Sequence, residues 1–155
     1  MKHILVLVTL LTALPGCCSG RSPAGVGAHY DLEDCNVALE GYDPVAYFSE
    51  GAAREGSAGI EAEHEGLVFR FASEANRDAF LAEPTAYPLA YGGWCAYAVA
   101  GDGTFDADPE SFLVREGRLF LFHDSIFFDA KKAWLEGGHK SLARSADVHW
   151  HEMTH

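Results

Sequence analysis

Residues 60–71 read Ile60-Glu61-Ala62-Glu63-His64-Glu65-Gly66-Leu67-Val68-Phe69-Arg70-Phe71. Leu67, Phe69 and Phe71 fall on one side of an alternating pattern, the period of a strand with one buried face, and Gly66 permits a tight reversal after His64-Glu65. The stretch is therefore read as a β-hairpin, 60–63 pairing back on 67–71. Immediately downstream, Ser73 is placed to cap a helix over 74–83, with Ala79 and Phe80 as core contacts and Pro84 as its stop. A second hairpin is read from 111–114, the turn Arg115-Glu116-Gly117, and 118–122. The unbroken apolar run from Leu119 to Phe122 implies a strand covered on both sides. Asp124 or Ser125 is expected to cap a helix ending near Leu135 and stopped by Gly137-Gly138. A last helix is read over 140–150, with Leu142, Ala146 and Trp150 at spacing four. The fold class expected is α+β: a small, mostly antiparallel sheet made of two hairpins, with helices packed on it.

The chain opens MKHILVLVTLLTALPGCC, one lysine followed by an apolar run from Ile4 to Leu14 that stops at Pro15-Gly16. That run is too short to span a bilayer and has the arrangement of a secretory signal, so residues 1–16 are read as a signal peptide. Leu14-Pro15-Gly16-Cys17 resembles a bacterial lipobox, with Leu three residues before a cysteine that receives lipid; Pro15 departs from the small or β-branched residue usual there. On this reading Cys17 is lipidated, 17–30 are anchor and polar linker, 31–150 the folded domain and 151–155 a histidine-containing tail. The alternative is ordinary cleavage close to Cys18-Ser19-Gly20. Either way the domain is expected outside the cytoplasm. The lipobox reading makes it a membrane-anchored lipoprotein facing the periplasm or the cell exterior.

Hydrophobic residues make up 48% of the 155 and charged ones 22%, which argues against disorder and allows one core. The formal net charge is −12, and no stretch concentrates Lys or Arg. Phosphate binding needs such a concentration, so nucleic acid is not an expected partner; no protein partner is indicated. Cys17 and Cys18 belong to the anchor, leaving Cys35 and Cys95, between which export permits a disulfide.

The segments Gly41-Tyr42-Asp43-Pro44-Val45-Ala46-Tyr47-Phe48, Phe71-Ala72-Ser73-Glu74-Ala75-Asn76-Arg77-Asp78-Ala79-Phe80, Pro84 to Tyr87 and Tyr91-Gly92-Gly93-Trp94-Cys95-Ala96-Tyr97 resemble the YHS domain family. The resemblance is closest to its exported bacterial members and runs from about Asn36 to Trp150. It implies a YHS-like single domain. Metal-handling relatives carry cysteines where this chain has Ala46, Ala72 and Asn76. Alanine has no donor atom, so the family's thiolate metal site is not implied here.

Cys95 is the principal candidate. If a helix begins at Trp94, the thiol lies in its first turn, where free backbone N–H groups favour a thiolate suited to metal binding or nucleophilic chemistry; the alternative is a buried cysteine acting as a small hydrophobe. Tyr91, Trp94 and Tyr97 surround it in sequence and serve equally as pocket lining or core. Tyr42, Asp43 and Tyr47 are candidate ligand-binding groups around Pro44, with Asp43 also suited to capping a short helix that has proline at its first position. His123, at the end of the 118–122 strand, is a candidate metal ligand alongside Cys95, or a surface residue. His64 is expected to be solvated.

The terminal His151-Glu152-Met153-Thr154-His155 matches H-E-x-x-H, the zinc-hydrolase pattern. A zincin needs a third protein ligand, normally further along, and the helix is expected to fray at this end. The match is read as coincidental. Three functions follow: a noncatalytic binding or accessory domain engaging a transition metal ion or small ligand around Cys95; a thiol redox protein using Cys95 with Cys35; or an interaction domain whose aromatics are all core. Cys95 in an open pocket with His or Tyr beside it favours the first.

Overall fold

The hairpin at 57–71 forms as the alternation requires. In the computed structural model, which describes residues 30–33 and 36–155, β3 (Ser57–His64) and β4 (Leu67–Phe71) are antiparallel, with His64 opposite Leu67 and Ala62 opposite Phe69. Glu65 and Gly66 both have left-handed backbone, φ 52° and 79°. A two-residue loop with φ > 0 at both positions matches the twist of the strands it joins. Leu67, Phe69 and Phe71 are buried, with Phe80 of α2 (Glu74–Ala82) set 4.8 Å from Phe69 and 5.4 Å from Phe71 by ring centroid. Ser73 caps α2, its Oγ accepting from the Asn76 N–H at 3.1 Å. Ala79, expected in the core, is exposed. Neighbouring helical residues differ by about 100° around the axis, and Phe80 takes the inward direction.

Strand β2 (Val37–Ala38) lies parallel to β4, and β1 (Leu32–Glu33) pairs antiparallel with β2, giving a four-stranded sheet in the order β1-β2-β4-β3. The second hairpin, β5 (Asp108–Arg115) and β6 (Arg118–Phe122), turns through Glu116 and Gly117, again both left-handed. Leu119 to Phe122 are all 3% exposed or less, the burial on both sides that the apolar run predicts. The fold is thus mixed α+β, with one correction: the hairpins do not share a sheet. The second edge of β6 is occupied by the 88–95 segment. Leu89 and Cys95 bridge in parallel to Leu119 and Leu121, and the Leu119 N–H donates to Pro88 O at 2.9 Å.

A second correction concerns residues 124–129. Asp124–Ser125 (β7) and Phe128–Asp129 (β8) pair as a short ribbon across Ile126-Phe127. The next helix, α4 (Ala130–Gly137), is capped by Asp129, whose Oδ1 accepts from the Lys132 N–H at 2.8 Å. The last helix, α5 (His139–Thr154), is a turn longer than the sequence suggests, so the folded unit does not stop at Trp150. It lies on α3 (Ala96–Ala100): Ala143 and Ala146 are buried, the Ser145 hydroxyl donates to Ala100 O, and His149 Nδ1 is 3.1 Å from Val99 O. Trp134, 0% exposed, fills the space between α4 and β6 against Phe120 and Phe122. Among the described residues no helix is long and apolar enough to cross a membrane.

Candidate functional site: an apolar pocket at Cys95

Tyr91, Gly92 and Gly93 have φ of 54°, 61° and 95°. Three successive left-handed residues reverse the chain sharply, which glycine permits at two of them and which a tyrosine tolerates only when held elsewhere. Tyr91 is so held: it is buried, its hydroxyl donates to Asp147 Oδ1 at 3.0 Å, and the Arg118 guanidinium lies over its ring. The reversal delivers Cys95 beside β6, its N–H donating to Phe105 O at 2.9 Å and its Cα opposite Leu121. Cys95 is the N-cap of α3, one residue before the helix, and is only 2% exposed, with no disulfide partner among the described residues.

Cys95 is one of the residues lining an open hollow of about 340 Å³. Tyr97 and Ala98 of α3, Phe105, His123, Phe128 and Ala130 complete the lining. Tyr97 meets Phe128 at 5.6 Å, and Phe105 meets the His123 imidazole edge-on at 4.7 Å. The size falls at the lower end of small-molecule sites, roughly 300–1,000 Å³, and the lining has their usual character of apolar walls with few polar groups. The lining residues that carry polar atoms are Cys95, His123 and Tyr97, and nearly all of the surface facing the hollow is apolar. Of the sequence candidates, Cys95, Tyr97 and His123 therefore meet; Phe105, Phe128 and Ala130 were not legible as partners, because they come from a loop, a two-residue strand and a helix start with no shared pattern.

The remaining candidates do not line this pocket. Asp43, fully buried, is the N-cap of α1 (Pro44–Ser49): Oδ1 accepts from the N–H groups of Val45 and Ala46, and Oδ2 from the Ala72 N–H at 2.9 Å and the Asn76 side-chain amide at 2.6 Å. Ala46, Ala72 and Asn76 thus converge on one carboxylate, and the Asn76 amide is engaged by it. Tyr47 is 1% exposed; its hydroxyl donates to Pro109 O at 2.9 Å, and burial drives its pKa far upward. Tyr42 reaches Glu110 at 3.4 Å; desolvation and then the neighbouring Glu110 and Glu55 raise its pKa. Tyr91 is likewise raised, by burial first, with Arg118 opposing and Asp147 reinforcing. Trp94 is half-buried, and its Nε1 has no acceptor among the described residues.

His64 is half-buried against the Phe80 ring at 5.8 Å rather than solvated, because the hairpin end folds over α2. A recess of about 250 Å³ lies there, lined by His64, Phe69, Phe80 and Tyr87 among others. A larger furrow, about 690 Å³, runs past Asp108, Glu110, Lys131, Lys132 and Glu136; it is open and carries both charge signs, and none of the sequence candidates lines it. At the terminus the helix holds where fraying was expected, and the rings of His151 and His155 stack at 4.4 Å. His149 is engaged with Val99 O instead. Among the described residues, no three His, Cys, Asp or Glu side chains converge as a metal site. Cys17 and Cys35 lie outside the described residues, and with them the lipidation and disulfide expectations.

Fold and site together define a small α+β domain with an apolar, thiol-containing pocket. No family model matches the chain, and no curated protein or solved structure does.

Proposed function

We propose that the chain is an exported, membrane-anchored accessory domain of the YHS type that binds a small, predominantly apolar ligand in the Cys95 pocket. The single observation that carries the binding role is the hollow itself, whose apolar lining includes Cys95 and His123. Export and anchoring through Cys17 rest on the N-terminal apolar run and the Leu14 to Cys17 motif; the YHS assignment rests on GYDPVAYF and FASEANRDAF. A transition metal is the weaker occupant, since Cys95 and His123 supply two donors where soft-metal sites use three or four.

The test is titration with toluene, a neutral probe suited to an apolar cavity, followed by NMR of the His123, Tyr97 and Phe128 rings. Saturable shifts confined to those rings, lost in Ala98→Phe, support the reading. Shifts spread over exposed aromatics, or unchanged by Ala98→Phe, contradict it.

A further inference from the structure

The ribbon between β6 and α4 presents its largest apolar side chains to solvent. Ile126 and Phe127 are 92% and 90% exposed, and Phe128 is 46% exposed. An apolar tip of this kind marks a surface that something else covers. The ends of the turn are already closed: Ser125 pairs with Phe128, and the Ser125 hydroxyl both donates to Phe128 O at 3.3 Å and accepts from the Phe128 N–H at 3.2 Å. Apolar side chains on such a turn meet one requirement for entering hydrocarbon, burial of apolar surface, and the paired flanks leave only the peptide groups of Ile126 and Phe127 to be satisfied at headgroup level.

Asp31, near the start of the described residues, is held by the 92 and 107 segments. The Asp31 N–H donates to Gly92 O at 2.9 Å, and Asp31 Oδ2 accepts from the Ala107 N–H at 3.3 Å. Ala107 is two residues from Phe105, itself 54% exposed and edge-on to His123, the residue that precedes β7. The described residues thus begin next to Asp31, whose contact with Ala107 leads through Phe105 to His123, three residues before Ile126; the proposed anchor lies upstream in the sequence.

We infer that Ile126 and Phe127 insert into the acyl region of the bilayer that holds the anchor, setting the domain on the membrane with the Cys95 pocket, which shares Phe128 with the tip, next to the lipid. This rests on the anchored reading above. A zwitterionic bilayer is the surface that fits, because a chain of net charge −12 is repelled by anionic headgroups.

The test uses the full chain carrying Phe127→Trp in phosphatidylcholine vesicles with brominated or unbrominated acyl chains, with flotation of the vesicles run in parallel. The expected result is bromine quenching of the new indole well beyond that of the wild-type tryptophans. In a Cys17→Ser background, Ile126→Ser with Phe127→Ser should weaken vesicle partition about tenfold or more. Flotation without quenching overturns insertion and leaves the anchor standing. Equal flotation of wild type and Cys17→Ser overturns the anchor, while quenching still decides insertion. Failure of both forms to float overturns both. Absent quenching together with a vesicle-free dimer that Phe127→Asp dissociates also overturns the inference, and assigns the tip to a second copy of the chain.

Discussion

Asn76 donates its side-chain amide to the Asp43 carboxylate at 2.6 Å, joining two segments 33 residues apart. With the N–H groups of Val45, Ala46 and Ala72, it satisfies a carboxylate that has no access to water. The first turn of α1 and the entry to α2 are thereby tied at one point. Two of the four segments read as resembling the YHS family, 41–48 and 71–80, meet in this structural joint, which explains why Asp43 and Asn76 belong to stability rather than to a pocket.

Removing the carboxylate with Asp43→Ala strands several buried N–H groups and should cost at least about 3 kcal/mol, since each unsatisfied buried donor costs about 1–3 kcal/mol. Asn76→Ala leaves three donors in place and should cost about 1–2 kcal/mol. Urea unfolding midpoints of the two variants check the order. Equal, small effects would show that the joint contributes little.

Gly56 is a second position whose role only the structure shows. Its N–H donates to Gly41 O at 2.9 Å, and a Cβ there would lie 2.5 Å from the Arg70 carbonyl carbon and 2.7 Å from Gly41 O. Backbone cannot move aside as a flexible side chain can. Gly56→Ala should destabilise by about 1–3 kcal/mol or more, whereas Gly59→Ala, with only the Ser57 hydroxyl at 3.6 Å, should cost little. The same denaturation series measures both.

Both long hairpins were legible because the first has a period-two apolar strand, the second a continuous apolar run, and each a Glu-Gly reversal, signals that lie within a dozen residues. What was not legible is non-local. The separation of the hairpins depends on Leu89 and Cys95 occupying the edge of β6, and no spacing in sequence announces that pairing. The β7–β8 ribbon turns on Ile126-Phe127, which lacks any of the usual turn residues, so Asp129 was passed over as a cap in favour of Asp124 or Ser125. Cys95, Tyr97 and His123 were singled out as candidates individually, yet the cavity exists only where four separate segments meet.

His139 gives a pH dependence with a definite sign. It is 6% exposed, and its Nδ1 accepts from the Trp134 indole N–H at 2.9 Å, so the neutral ring carries its proton on Nε2. Burial first, then Arg115, lowers its pKa below the usual 6.5, with Glu116 opposing. Between the folded value and 6.5 the unfolded chain binds more protons. The contribution is therefore fully present above pH 6.5 and declines as pH falls through that window. Urea midpoints should show this acid-side loss in wild type and a flatter profile in His139→Met. Identical profiles would contradict the assignment.

The last turn of α5 contributes only marginally. His151, Glu152 and His155 are exposed, and the Thr154 hydroxyl bonds back to Trp150 O within the helix. Truncation after Trp150 should lower stability by less than about 1 kcal/mol. A loss of several kcal/mol, read by thermal denaturation, would mean that the half-buried Met153 and Thr154 hold the helix in place.

The most direct measurement is the labelling of Cys95 in a form carrying Cys17→Ser, Cys18→Ser and Cys35→Ser. The rate in the folded protein is divided by that in denaturant, for a neutral aromatic maleimide and for a charged sulfonated thiol reagent. A pocket with apolar walls should favour the neutral reagent in this ratio by about tenfold or more, and toluene or Ala98→Phe should remove the preference. Equal ratios for both reagents, with labelling that follows unfolding alone, would show a core thiol without a usable pocket and contradict the account.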